Sequence, residues 1–241
     1  MQAVILAGGL GTRLGPLTAT LPKPMVPVAG VPYLRHQLLL LKRQSICDVL
    51  LLTGYLGQAI EDYFGDGGRL GLHLRYSRET TPVGTAGALR LARHLLEDRF
   101  LVIYGDSYLP IDYADVAHTL DASGAIGLVA VYRDWQGHTS VRSNIAVDAD
   151  RFVTRYDKRA TGDPSLEYVE AGVLAFRREV VSLIPEGIVS LEEQTYPQLI
   201  ARRQLIAYPT SQRFYDIGTP ERLRVIEDYL SHDYHPDTLS D

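Results

Sequence analysis

The sequence predicts an α/β fold: a mixed, mainly parallel, Rossmann-like sheet with helices on both faces, plus a small subsidiary sheet. Three observations predict it. Short apolar runs alternate with amphipathic stretches through the first half of the 241 residues, the rhythm of βαβ units. The first run, Val4-Ile5-Leu6-Ala7, leads straight into a glycine-rich turn, as strands do where a phosphate is cradled. The second half carries more strand-like runs than helical ones, which brings antiparallel pairing into a sheet that is otherwise parallel.

Taken in order, "AVILA" reads as a strand, "YLRHQLLLLKRQ" as a helix, "CDVLLLT" as a strand and "LGQAIEDYF" as a helix. "LHLRYS" follows as a strand, "GALRLARHLLE" as a helix and "FLVIYGD" as a strand. Then come the strand-like runs "AIGLVAVY", "SNIAVD", "FVTRYDK", "YVEAGVLAF" and "QLIAYP", some of them expected in the subsidiary sheet. "GTPERLRVIEDYL" closes as a helix, with Thr219 as N-cap and Pro220 in the first turn. Leu223, Ile226 and Leu230 share one face of it. Asp112 reads as a helix-start residue. Residues 1–241 read as one domain in two parts, 1–115 and 116–230, followed by a frayed polar tail, 231–241.

Composition narrows the function. A net charge of -5 argues against a nucleic-acid partner. No apolar run has the length of a membrane span, and no basic leader precedes the first strand, so neither membrane nor export is expected. The single cysteine, Cys47, reads as a buried strand residue in a reducing cytoplasm. No glycine-flanked serine elbow supports acyl transfer. His36 and His94 read as surface residues, His232 and His235 as solvated tail residues, and the fifteen tyrosines as core and rim.

The opening loop, "GGLGTRLGPLTATLPKPMVPV", carries the chemistry. It is no Walker A loop, since no Gly-Lys-Ser/Thr follows, and counting from Gly9 the third dinucleotide glycine is replaced by Leu14. Gly8, Gly9 and Gly11 let backbone N–H groups turn toward anionic oxygens. Arg13 can clamp phosphate with two donors. Lys23 is aimed by Pro22 and Pro24 on either side of it.

"LAGGLGTRLGPLT…LPKPMVPVAGVP" resembles the signature of the sugar-1-phosphate nucleotidyltransferases, which join an NTP to a sugar 1-phosphate and release pyrophosphate. "ETTPVGTAGAL", "VIYGDSYL", "YVEAGVLAF" and "FYDIGTPERL" resemble, in order, the family's nucleotide segment, metal-binding strand end, sugar-binding strand and second metal-binding segment. The resemblance covers nearly the whole chain, and is greatest to short bacterial heptose- or mannose-1-phosphate guanylyltransferases. It implies Arg13, Lys23, Asp106 and Asp216 as the catalytic set, with Asp106 and Asp216 on opposite sides of a cleft holding Mg²⁺. It implies a nucleotide site of Leu6, Ala7, Gly8, Gly9, Gly11, Thr12, Arg13, Glu79, Gly84, Thr85 and Asp106. It implies a sugar-phosphate site of Lys23, Asn144, Asp157, Lys158, Glu170 and Gly172.

A carboxylate at Glu79 offers acceptors to guanine's N1–H and N2 donors, so GTP is favoured. Asp157-Lys158 stands where relatives carry Glu-Lys, and Ser143-Asn144 where they usually carry Tyr-Gly. The expected reaction is one in-line displacement at the α-phosphorus by an already ionised sugar phosphate, which needs no general base. The rivals are a uridylyl- or thymidylyltransferase on glucose-, mannose- or N-acetylmuramate 1-phosphate, and a non-catalytic sugar-nucleotide sensor. A glycosyltransferase would want an Asp-x-Asp motif that "GDSYL" does not supply. The reading leaves room for a homo-oligomer.

Overall fold

The computed structural model describes residues 1–9, 11–134 and 137–233. Its elements run β1 (Gln2–Ala7), β2 (Pro27–Val28), β3 (Val31–Pro32), α1 (Tyr33–Arg43), β4 (Asp48–Thr53), α2 (Gly57–Phe64), β5 (His73–Arg78), α3 (Gly84–Leu91), β6 (Arg99–Tyr104) and β7 (Ser107–Tyr108). They continue with α4 (Tyr113–Ser123), β8 (Gly127–Tyr132), β9 (Ile145–Val147), β10 (Val153–Tyr156), β11 (Val169–Arg177), α5 (Tyr196–Ala201), β12 (Leu205–Thr210), β13 (Tyr215–Asp216) and α6 (Pro220–Asp233).

Seven strands form the central sheet in the order β12-β8-β11-β6-β1-β4-β5. All neighbours pair in parallel except at β11, which is antiparallel to both β6 and β8. Alternation along β1 sorts side chains onto two faces. Ala3, Ile5 and Ala7 join a core with Leu34, Leu38 and Leu41 of α1, Ile60 of α2, Val116 of α4 and Ile226 of α6. Val4 joins a second core with Ala86 and Leu89 of α3 and Leu199 of α5. The helices therefore cover both faces, as the βαβ rhythm predicts.

The second half supplies both the antiparallel pairing and the subsidiary sheet that its strand-like runs predict. Of its five strand-like runs, β8, β11 and β12 enter the central sheet, and only β9 and β10 pair apart from it. Two further ribbons, β2–β3 and β7–β13, lie outside the sheet. Asp112 caps α4 by accepting from Ala114 N and Asp115 N. Cys47 is exposed and precedes β4, so its placement in a buried strand is corrected. His36 is also corrected: it is buried on α1, its Nε2 2.9 Å from the Val28 carbonyl, because the β2 hairpin covers that face. α6 continues to Asp233, through residues expected in the tail, and His235 lies outside the described residues. Among the described residues no helix is long and apolar enough to cross a membrane.

The reversed direction of β11 gives one edge of the sheet its character. The carboxyl ends of six parallel strands gather at that edge, where ligands bind in such sheets. β11 brings its amino end, Val169–Gly172, to the same edge. Gly172 has φ +78°, and a Cβ there would lie 2.3–2.4 Å from Ser107 Oγ and Cβ. Glycine is required for both reasons: the left-handed backbone and the close approach. Gly172→Ala is expected to destabilise the fold by roughly 2–5 kcal/mol, combining left-handed strain with overpacking. Urea unfolding measures this. In a Ser107→Gly background the same change should cost clearly less, and an unchanged cost would contradict the contact.

Candidate active site

A cavity of about 510 Å³ opens at the carboxyl edge of the sheet. Its walls are Leu6, Ala7, Gly8, Gly9, Gly11 and Arg13 from the first loop, Lys23 and Pro24, Leu52, and Glu79, Pro82, Gly84, Thr85 and Ala88 around α3. Tyr104, Gly105, Asp106, Lys158 and Glu192 close it.

Local chemistry fixes the first loop. Gly11 takes φ +66°, and the short turn Thr12–Thr18 follows. Thr18 Oγ1 donates to the carbonyls of Gly11 (3.0 Å) and Gly15 (3.3 Å), which folds the loop back on itself. Arg13 stays exposed at the cavity wall. Lys23 is only 8% exposed, yet it is charged, and its Nζ reaches Asp106 Oδ2 at 2.5 Å. An ammonium this buried requires such a partner.

Asp106 and Asp216 are not on opposite sides of a cleft. The β7–β13 ribbon sets Asp216 across from Ser107, and Ile217 N–H donates to the Asp106 carbonyl at 3.0 Å, so the two aspartates come from neighbouring backbones. Asp216 does not line the cavity. Its carboxylate accepts from Gly218 N (2.7 Å) and from Arg222 Nη1 (3.3 Å to each oxygen). The Asp106 carboxylate at the cavity wall and the Asp216 carboxylate of the adjoining ribbon are hard oxygen donors, the type a divalent cation takes when substrate oxygens and water complete its shell. Among the described residues no group of three or more His, Cys, Asp or Glu could form a metal cage by itself.

Glu79 lies in the cavity wall, beneath Gly8 and Gly54, and accepts from Val83 N–H at 3.2 Å. Burial raises its carboxyl pKa, and the Val83 bond opposes that. At the start of α3, the Ala86 and Gly87 N–H groups donate to the Val189 carbonyl and Val83 N–H donates to Glu79, while Gly84 and Thr85 line the cavity.

Of the other expected residues, Lys158 lines the cavity and Asp157 does not. Asp157 is tied to Arg155 Nη2 (2.8 Å) and to the N–H groups of Arg159 and Ala160. Asn144 is 7% exposed, and its Oδ1 accepts from Glu170 N–H at 3.0 Å, so it holds the backbone of that glutamate. Glu170 sits behind the cavity wall. Its Oε1 accepts from Tyr104 O–H (3.0 Å) and Tyr196 O–H (2.6 Å).

Sequence reasoning missed Glu192. It stands in a π-turn, Leu191–Thr195, a distortion that often marks function. It accepts from Tyr104 O–H (3.0 Å), Ser190 Oγ (2.7 Å) and Thr85 Oγ1 (3.1 Å). Tyr104 and Tyr196 belong to the core as expected, and their hydroxyls also join Glu170 and Glu192 into one network. The sequence signal was the "SLEEQTYP" stretch itself, two acids beside an aromatic.

Burial pushes Glu170 up to about 7, and the nearby Glu192 charge adds to this; the Tyr196 and Tyr104 hydroxyls and Lys158 oppose it. A carboxyl raised in the fold binds its proton more tightly there than in the unfolded chain. The stability this confers is full below the unfolded value of about 4.5 and is lost as pH rises through about 7. Glu170→Gln keeps an acceptor for both tyrosines and cannot ionise. Its melting temperature relative to the parent is expected to rise between about pH 5 and about pH 8. A constant difference across that range would contradict the shift.

A sequence profile described as nucleotidyl transferase matches residues 2–231. A mannose-1-phosphate guanylyltransferase of Mycobacterium tuberculosis is 37% identical over 232 residues, covering 92% of this chain and 62% of that protein. The chain thus spans about six-tenths of the length of the curated relatives it matches. Among solved structures, HddC from Yersinia pseudotuberculosis superposes with TM-score 0.80 at 25% identity, covering 95% of this chain and 99% of HddC. HddC has also been solved in complex with GMP-PN. A putative glucose-1-phosphate thymidylyltransferase from Bacillus anthracis shares the fold, with TM-score 0.83 at 23% identity over 98% of this chain and 96% of that one.

Proposed function

The chain belongs to the nucleotidyl transferase family, and from that premise we propose that it transfers GMP from GTP to a sugar 1-phosphate of the mannose or heptose type. The products are a GDP-sugar and pyrophosphate. The observation that carries the reading is the single cavity wall in which the glycine loop, Arg13, Lys23, Asp106 and Glu79 converge. The names of the relatives, mannose-1-phosphate guanylyltransferases, support the guanine and mannose parts. So does the GMP-PN complex of HddC.

The triphosphate lies along the first loop, where Arg13 and backbone N–H groups hold the β- and γ-phosphates. Lys23 bridges the α-phosphate and the sugar phosphate. Asp106 and Asp216 would hold Mg²⁺, which when bound would offset the negative charge on the α-phosphate oxygens and on the leaving pyrophosphate. The base rests between Gly8, Glu79 and the start of α3. Lys158 meets the sugar phosphate, and Tyr104 and Glu192 at the cavity wall, backed by Glu170 and Tyr196, meet the sugar hydroxyls. Residues 1–115 so supply mainly the nucleotide side and 116–230 mainly the sugar side. The sugar phosphate attacks as an anion, so positioning and electrostatics do the catalysis. The lone Cys47 and the -5 net charge support a reducing cytoplasmic setting with no nucleic-acid partner.

Pyrophosphate release over GTP, ATP, UTP, CTP and dTTP, each against mannose-, heptose-, glucose- and N-acetylmuramate 1-phosphate, tests the whole reading. GTP is expected to give the highest kcat/KM. Glu79→Gln is expected to reduce GTP use by about 1–3 kcal/mol, or roughly 5–150-fold, because the variant swaps a charged acceptor for a donor. Preference of the parent protein for UTP or dTTP would refute the guanine reading, and an unchanged variant would remove Glu79 as its cause. Separately, Asp106→Asn should lower kcat by several orders of magnitude with the fold retained, and EDTA should abolish turnover until Mg²⁺ is restored. Full activity in EDTA would refute the metal role.

A further inference from the structure

α1 carries a buried polar side chain that the proposed chemistry does not use. Gln37 is 2% exposed and lies on the helix beside the core residues Leu34, Leu38 and Leu41. A carboxamide there must find partners for its donors. Nε2 finds two: the carbonyls of Tyr104 at 2.9 Å and Ser107 at 2.6 Å. Since both partners are carbonyl oxygens, only the NH₂ end of the amide can face them. Its two protons go to the first and last residues of the turn Tyr104-Gly105-Asp106-Ser107.

Lys23 Nζ meets the Asp106 carboxylate itself at 2.5 Å, and two backbone bonds hold the main chain of the turn. Gly105 N–H donates to the Leu6 carbonyl at 3.0 Å, and Ile217 N–H to the Asp106 carbonyl at 3.0 Å. Asp106 is thus held from β1, from β13 and from α1, and the hydrogen bonds from α1 come from Gln37. We propose that Gln37 is a positioning residue for the metal site. By tying both ends of the turn it sets the direction of the Asp106 carboxylate and, through the β7–β13 ribbon, its spacing from Asp216. This rests on the reading that Asp106 and Asp216 hold a divalent cation.

The neighbouring residue fits the same role. Tyr33 stands one helical turn before Gln37 on the same face. Its hydroxyl and the Gln37 Oε1 are buried without a hydrogen-bond partner. Burial raises the Tyr33 phenol pKa, and the charges of Asp106 and Asp216 add to that, which places Tyr33 within their field. α1 therefore sets neutral groups at these two buried polar positions below the aspartates. A lysine there would compete with a cation, and a glutamate would repel both carboxylates.

The test uses Gln37→Met, which keeps the length and removes the donors. Gln37→Asn keeps the amide but withdraws it by one methylene, and it serves if the first variant does not fold. Mn²⁺ binding is read by electron paramagnetic resonance with a saturating non-hydrolysable GTP analogue present. Nucleotide binding in EDTA and the melting temperature are read alongside. The Mn²⁺ Kd is expected to rise roughly 10–100-fold in Gln37→Met, the range seen when support of metal ligands is removed, and less in Gln37→Asn. Nucleotide binding in EDTA should stay at the parent value. An unchanged Mn²⁺ Kd in a folded variant overturns the inference alone. So does an equal loss of metal and nucleotide affinity, which would mark general distortion. A parent protein that binds no Mn²⁺ beside the nucleotide analogue overturns the metal reading and this inference together.

Discussion

Everything at the cavity depends on one strand running the wrong way. Six strands of the sheet deliver their carboxyl ends to one edge, and β11, lying between β6 and β8, delivers its amino end there. A parallel strand in that place would bring its own carboxyl end and a βα loop. The reversal brings instead Glu170, whose backbone is set by Asn144, and Gly172, which lets the Asp106-Ser107 turn pack directly on the strand. A register shift between Glu170 and Leu174 on the β8 side marks where the strand bends to do so. The two halves of the chain thus meet along a single strand pair, β6 with β11.

Much of this was legible in sequence where the signal is local. The glycine loop, Lys23 between prolines, Asp106 after a buried strand and the cap at Asp112 each declare themselves within a few residues. Glu79, Gly84 and Thr85 also take their places in the cavity wall. What was not legible depends on partners far along the chain. Gln37 looks like any polar residue of an amphipathic helix until the turn 67 residues on is packed against it. Tyr104 and Tyr196 have the composition of core residues, and only the fold turns their hydroxyls onto Glu170. His36 reads as surface because the hairpin that covers it, β2–β3, is two residues per strand and carries almost no periodicity. Asp157 matches a family position by type, yet Arg155 two residues earlier holds its carboxylate.

The two halves of the site differ in the kind of charge they hold. Around the first loop the groups are ion pairs and a basic side chain: Arg13, Lys23 with Asp106 and, behind them, Arg222 with Asp216. Such groups suit a charged ligand, a triphosphate on the proposed reading. On the sugar side two carboxylates share the Tyr104 hydroxyl, and one of them has a pKa near neutrality. Hydroxyl groups of a sugar are neutral donors and acceptors, and a carboxyl that can give up or keep its proton can meet either need.

That difference bears on how the site can choose its sugar. In a network where two acids and two tyrosines already bond one another, an incoming hydroxyl must compete with bonds the protein makes to itself. A sugar with its hydroxyl displaced by one position leaves a buried carboxylate short of a donor, a penalty larger than the gain from any single good contact. On the proposed reading, selectivity for the sugar would be built from what a wrong epimer leaves unpaired in the network of Glu170 and Glu192, and selectivity for the base would rest on the same physics at Glu79, where burial already disfavours an unpaired charge.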